Sequence, residues 1–173
     1  MSDAAAEPVL AGAPALAGLT LVPPVERSAR ARLRTLLLTG LPDMARRLAS
    51  PHLAAALDRL LRTQKYDWVI VEGIEMAPYA GPFAAARPPP RWLFDEHNAE
   101  YLLQQRVFLS DLRAAFRPRA AAGAMYSLVQ WRRLRAYERA ACRAADAVTA
   151  VSGADRAALL ALPDTEDAFV RHY

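Results

Sequence analysis

Cysteine, lysine, histidine and glycine are all scarce in this chain, and each scarcity excludes something. The single cysteine, Cys142, rules out an internal disulfide. Three histidines with neither CxxC nor HExxH spacing leave no zinc site legible in the spacing, and no metal is expected. Lys65 is the only lysine among 22 basic residues, so arginine carries the net charge of +4. Together with heavy alanine use, that bias looks like whole-genome composition and weakens the case for a designed basic surface. Long apolar runs are also missing. The longest uncharged stretch, Pro8 to Val25, is broken by Gly12, Pro14, Gly18, Pro23 and Pro24 and follows Asp3 and Glu7, not basic residues. Neither a transmembrane helix nor a secretion signal fits, and a cytoplasmic location is expected. What is present is ample apolar material: 173 residues, 54% hydrophobic and 23% charged, enough to bury one core of ordinary domain size.

No internal repeat is visible. Residues 1–18, rich in alanine and proline, read as a loosely ordered lead-in. Leu19 to Val22 is a short apolar run compatible with a strand, stopped by Pro23 and Pro24. Glu26 to Leu38 reads as a helix with Leu33, Leu36 and Leu37 at helical spacing, ended by Gly40 and Pro42. A second helical region from Asp43 to about Gln64 restarts at Ser50 and Pro51, a good cap followed by a good first residue, and carries Leu53, Leu57, Leu60 and Leu61 as its buried stripe. Trp68 to Val71 is apolar on both faces, as in a buried parallel strand. Arg91 to Asp95 and Ala147 to Val151 repeat the pattern. Between them lie helical stretches, Met76 to Arg87 with doubtful continuity, Asn98 to about Phe116, and the long Ala121 to Ala145. Strands alternating with helices predict an α/β fold with a parallel sheet flanked by helices.

Ligands of open parallel sheets bind beyond the carboxyl ends of the strands, and the residues there are unusually polar. Glu72, Gly73 and Glu75 follow the first strand. Asp95, Glu96, His97, Asn98 and Glu100 follow the second, and Ser152 and Asp155 the third. Asn98 and Glu100 also suit a helix cap and a first-turn acid. Ser152 with Asp155 resembles a capping box more than a phosphate site, because no glycine-rich loop precedes it. His97 sits among acids and not on an apolar face, which favours a functional role. Arg132, Arg135, Arg139 and Arg143 fall on one face of a basic amphipathic helix, opposite Leu134, Tyr137, Ala141 and Ala145. A solvated face is the ordinary reading, and contact with an anionic membrane surface the alternative. No RNA- or DNA-binding signature is present, and no nucleic-acid partner is expected.

Three segments in order, Tyr66-Asp67-Trp68-Val69-Ile70-Val71-Glu72-Gly73-Ile74-Glu75-Met76-Ala77-Pro78-Tyr79, Phe94-Asp95-Glu96-His97-Asn98-Ala99-Glu100-Tyr101, and Tyr137-Glu138-Arg139 with Ala145-Asp146-Ala147-Val148-Thr149-Ala150-Val151-Ser152, resemble the N-terminal domain of family 4 glycosyltransferases. The likeness spans roughly Leu33 to Leu162. It implies half of a GT-B fold, with a partial Rossmann-like domain over 19–162 and a tail over 163–173. It also implies retaining transfer of a sugar from a nucleotide-sugar donor to a glycan or lipid-linked acceptor, as in polysaccharide biosynthesis, without a bound metal or other cofactor. His97 matches the histidine that contacts the transferred sugar, and Glu72, Glu75, Asp95, Asn98, Glu100 and Ser152 would surround the substrate. Many relatives work at the cytoplasmic membrane, which would give the arginine face a purpose. Family members open with a strand and glycine-rich loop that is not found before Leu19, and continue into a donor domain, whereas this chain stops at Tyr173. The expectation is therefore a fragment that is inactive without a donor-domain partner, the alternative being a noncatalytic relic or binding module.

Overall fold

A computed structural model describes residues 18–23, 27–114, 118–165 and 170–172. Helix α1 (Ala29–Leu38) and a 3-10 turn at Met44–Arg46 lead into α2 (Pro51–Thr63) and strand β1 (Trp68–Glu72). A 3-10 segment, Ala77–Ala85, connects β1 to β2 (Arg91–Glu96), and the long pair α3 (Glu100–Arg113) and α4 (Pro118–Ala144) connects β2 to β3 (Ala147–Ala150). Helix α5 (Gly153–Leu160) then leads to β4 (Val170–His172). The strands form one sheet in the order β1-β2-β3-β4, every pair parallel. The expected α/β fold with a parallel sheet flanked by helices is what forms.

Local chemistry explains the element ends. Ser28 caps α1 by accepting from the Ala31 amide at 3.2 Å, and Ser50 caps α2 by accepting from Leu53 at 3.3 Å with Pro51 at the first helical position. The 3-10 segment carries Pro82, which cannot donate to a continuing α-helical ladder. That accounts for the doubtful helical continuity after Met76.

Right-handed crossovers, the rule for parallel strands, deliver their helices to one face when all step in the same direction. Burial follows that geometry. Val71, Trp92, Phe94, Glu96, Val148 and Ala150 are buried on one face, together with Leu134, Ala141 and Cys142 of α4 and Leu159 of α5. On the other face Trp68, Ile70 and Glu72 are exposed and Leu93, Asp95 and Thr149 half-buried.

Three sequence expectations change. Trp68 to Val71 is not buried on both faces, because β1 is an edge strand and Ile70 is 64% exposed. The helix expected over Glu26 to Leu38 forms over Ala29–Leu38, and its buried residue is not a leucine. Leu33 and Leu37 are exposed and Thr35 is buried instead, held by Arg27, whose guanidinium donates to Thr35 Oγ1 at 2.9 Å and to Asp43 at 2.8 Å. Leu19 to Val22 joins no strand. The expected tail contributes β4, which pairs with β3 from Val148↔Val170 to Ala150↔His172. The α2 stripe holds, with Leu53, Leu57, Leu60 and Leu61 all half-buried. Of the lead-in over 1–18, all but Gly18 lies outside the described residues, as does the stretch 115–117 where α3 was expected to end.

Candidate functional site

The parallel sheet brings every strand end to one rim. His97 follows the carboxyl end of β2, which lies between β1 and β3, so it stands at the middle of that rim. Glu72 ends β1, Glu75 follows it across Gly73, and Ser152 follows β3. Gly73 adopts φ +77°, a left-handed backbone that turns the chain sharply out of β1 and costs glycine nothing.

Register then sorts the side chains. Glu72 pairs with Asp95 and Asp95 with Thr149, so these three form a row across three strands on the exposed face. Thr149 Oγ1 donates to Asp95 Oδ1 at 2.6 Å. His97, two residues beyond Asp95, returns to the same side, and the ligating atoms of Glu72, Asp95 and His97 all lie within 4.8 Å of one another. Glu75 points to Arg47, with Nη1 to Oε1 at 3.3 Å.

On the covered face the neighbouring acid behaves differently. Glu96 is buried, its Oε2 has no hydrogen-bond partner among the described residues, and burial first, then the charge of Glu138, pushes its pKa up to about 10. Glu138 of α4 is buried as well but accepts the amides of Glu100 and Tyr101, both at 2.9 Å. Burial outweighs those two donors and raises its pKa to about 8. The proton of this pair therefore rests first on Glu96, and the hydrogen-bonded Glu138 is the carboxylate that caps α3. Cys142, buried beside these acids, has its thiol pKa pushed upward by burial, which makes it inert.

The capping roles separate the remaining residues. Asn98 is not the cap of α3, as its sequence position suggested. Ala99 holds that place, Glu138 supplies the acceptors, and the Asn98 amide instead donates to Glu100 Oε1 at 3.4 Å. Ser152 does cap α5, accepting from the Asp155 amide at 3.0 Å and donating to the Asp155 carboxylate. The other Asp155 oxygen accepts the Ala99 amide at 3.0 Å, and the Ser152 hydroxyl, then that amide, hold the Asp155 carboxyl below its ordinary range. Ser152, Asp155 and Glu138 thus lock the rim loops, while Glu72 and His97 are exposed and Asp95 and Glu100 half-buried at the same rim. Sequence reasoning placed Glu138 in a motif without a role. Only the packing of α4 against the start of α3 reveals its work.

The arginine face of α4 forms, opposite buried Leu134 and Ala141. Half of it is engaged, since Arg139 and Arg143 both reach the Asp164 carboxylate and Arg139 Nε donates to the Pro163 carbonyl at 2.7 Å. Among the described residues no helix is long and apolar enough to cross a membrane. A groove of about 700 Å³ lies between the 3-10 segment and α4, lined by Pro78, Phe83, Trp92, Tyr137 and Ala141, and it contains none of the rim residues.

Fold and site together define an α/β protein whose parallel sheet gathers acids and one imidazole at its carboxyl rim. Comparison with known proteins carries that no further: no family model matches the chain, and no curated protein or solved structure matches it.

Proposed function

We propose that this chain is the acceptor-binding half of a retaining glycosyltransferase of the family 4 type, in which His97 contacts the transferred sugar. The observation that supports this reading is the place of His97 at the carboxyl end of a central parallel strand, between the acids of two neighbouring strand ends. Carboxylates accept hydrogen bonds from sugar hydroxyls, so Glu72, Asp95 and Glu100 suit a glycan. They do not suit a nucleoside diphosphate. Around His97 stand Glu72, Glu75, Asp95 and Glu100, and the nearby Arg47 is already paired with Glu75. Such a rim repels phosphate, which favours the acceptor over the donor as its occupant. The nucleotide sugar would then be held by a second, donor-binding half, because transfer needs both reactants in near-attack geometry. A lipid-linked acceptor could bring the chain to a cytoplasmic membrane face, with exposed Arg132 and Arg135 meeting anionic lipid.

A titration of the purified chain with oligosaccharides, followed by NMR of the His97 imidazole, tests the reading. Glycans should shift the His97 resonance, and His97→Ala should weaken their binding, while radiolabelled nucleotide sugars give background incorporation with the chain alone. Indifference of His97 to every glycan class, or turnover by the chain alone, overturns it. Glycan binding that never leads to transfer, even with a donor half supplied from the neighbouring reading frames, would identify a noncatalytic binding module.

A further inference from the structure

Between Arg27 and Arg47 the chain carries six arginines and a single acid, Asp43. A compositional preference for arginine explains their number but not where the fold puts them. A cavity of about 410 Å³ lies between α1 and the 3-10 turn at Met44–Arg46, and Arg27, Arg34 and Arg46 all line it. Helical periodicity explains the α1 side, since residues 31, 34, 35 and 38 share one helix face and Arg27 stands one turn before them. The 3-10 turn explains the other side. It brings Arg46 to the cavity while the next residue, Arg47, reaches Glu75 at the sheet rim.

Charge balance then decides what the cavity can hold. Asp43 is engaged by Arg27, whose Nη1 donates to its Oδ1 at 2.8 Å, and the Arg27 side chain is only 13% exposed. Among the described residues the side chains of Arg34 and Arg46 make no ion pair or hydrogen bond. Three guanidinium groups against one carboxylate leave two positive charges unbalanced around one cavity.

We propose that this cavity binds a small phosphate monoester, its phosphate held by Arg34 and Arg46. Each guanidinium presents a planar fork of donors that matches two phosphate oxygens. Two unbalanced charges suit a dianion, which a monoester becomes above its second pKa of about 6, whereas a carboxylate would neutralise only one of them. Arg27 is a positioning residue. Tied to Asp43 and to Thr35 Oγ1 at 2.9 Å, it fixes the wall of the cavity and is not free to follow a ligand. The volume lies in the range of small-molecule sites, and Ala31, Leu38 and Ala49 offer apolar surface to the organic group that the phosphate carries. The assignment rests on the placement of α1 and the 3-10 turn, independently of the glycosyltransferase reading and apart from the acidic rim.

Calorimetric titration of the full chain with phenyl phosphate tests the assignment. One equivalent should bind saturably at pH 8, inorganic phosphate should compete with it, and binding should weaken as the pH falls below about 6. Arg34→Gln and Arg46→Gln should each weaken binding about 10-fold, and Arg34→Lys, which keeps the charge but loses the fork, should weaken it less than Arg34→Gln. Both arginines are exposed, so the substituted chains should keep the melting temperature of the unsubstituted one without ligand. Phenyl phosphate should then raise the melting temperature of the unsubstituted chain and not that of the doubly substituted one. Arg135→Gln, at an exposed arginine outside the cavity, should leave binding unchanged. Absence of saturable binding, or equal weakening by Arg135→Gln, would overturn the proposal. So would binding to phosphatidic acid vesicles without binding to phenyl phosphate, which would give these arginines to a lipid surface.

Discussion

Glu96 and Glu138 show how one sheet position can separate two carboxyls that look alike in sequence. Asp95 faces outward and Glu96 inward, so adjacent acids meet opposite surroundings, and only the inward one is stripped of water. The consequence is a pH dependence with a definite sign. Below the ordinary value of 4.5 both states hold the proton and the contribution of these groups to stability is fully present. As pH rises the unfolded chain releases its protons while the folded chain keeps them, up to about 8 for Glu138 and about 10 for Glu96. Stability should fall through that window, by at most about 1.4 kcal/mol per pH unit for each proton retained. Asp155 acts in the opposite sense, since its lowered pKa contributes stability above its ordinary value of 3.8 that is lost as pH falls below it. Melting temperatures should therefore peak in mildly acidic buffer. Glu96→Gln, which keeps the shape and neutrality of the protonated acid, should flatten the decline on the alkaline side, and a decline as steep as before would show that Glu96 is ionised in the folded protein.

At the scale of elements, β1 carries the clearest liability. Among the described residues its outer edge is unpaired, and Trp68 and Ile70 present apolar surface beside it, a combination that templates pairing with another chain. Ile70→Lys should reduce self-association in sedimentation velocity without unfolding the chain, because a lysine at an exposed edge position costs little and repels a second edge. Unaltered association would move the sticky surface elsewhere, with the exposed leucines of α1 next in line. The strand cores of β1, β2 and β3 were legible because short apolar runs flanked by acids admit few other structures, and α2 because its cap, proline and leucine period agree. Which side of α1 is buried was not legible, for a physical reason. Spacing shows that a stripe exists but not which way it faces, and the Arg27 contacts with Thr35 and Asp43 turn the helix the other way. The strand β4 was illegible because Val170 to His172 is too short and too polar to show a period. At the site, the sequence brought forward the strand ends that the fold gathers at one rim, with His97 among them. It could not tell which acids serve the fold, since the Glu138 contact with Glu100 and Tyr101 spans nearly forty positions.

For the whole molecule, a sheet whose described helices cover one face and leave Trp68, Ile70 and Glu72 exposed on the other has less buried apolar surface to hold it than a sheet covered on both. The purified chain should accordingly unfold below about 60 °C and associate at high concentration, and a cooperative monomeric transition above that temperature would show that the bare face is not a weakness. The strand order has a different effect on how the molecule is made. Each strand pairs with the one just before and just after it in the chain, and no strand waits for a partner from a distant part of the sequence. The loop closed at each step is no longer than a single crossover, so its entropic cost stays small. A ribosome releasing this chain from its amino end can thus complete β1 against β2, add β3 once α3 and α4 have emerged, and add β4 last, with every intermediate already a shorter version of the finished sheet.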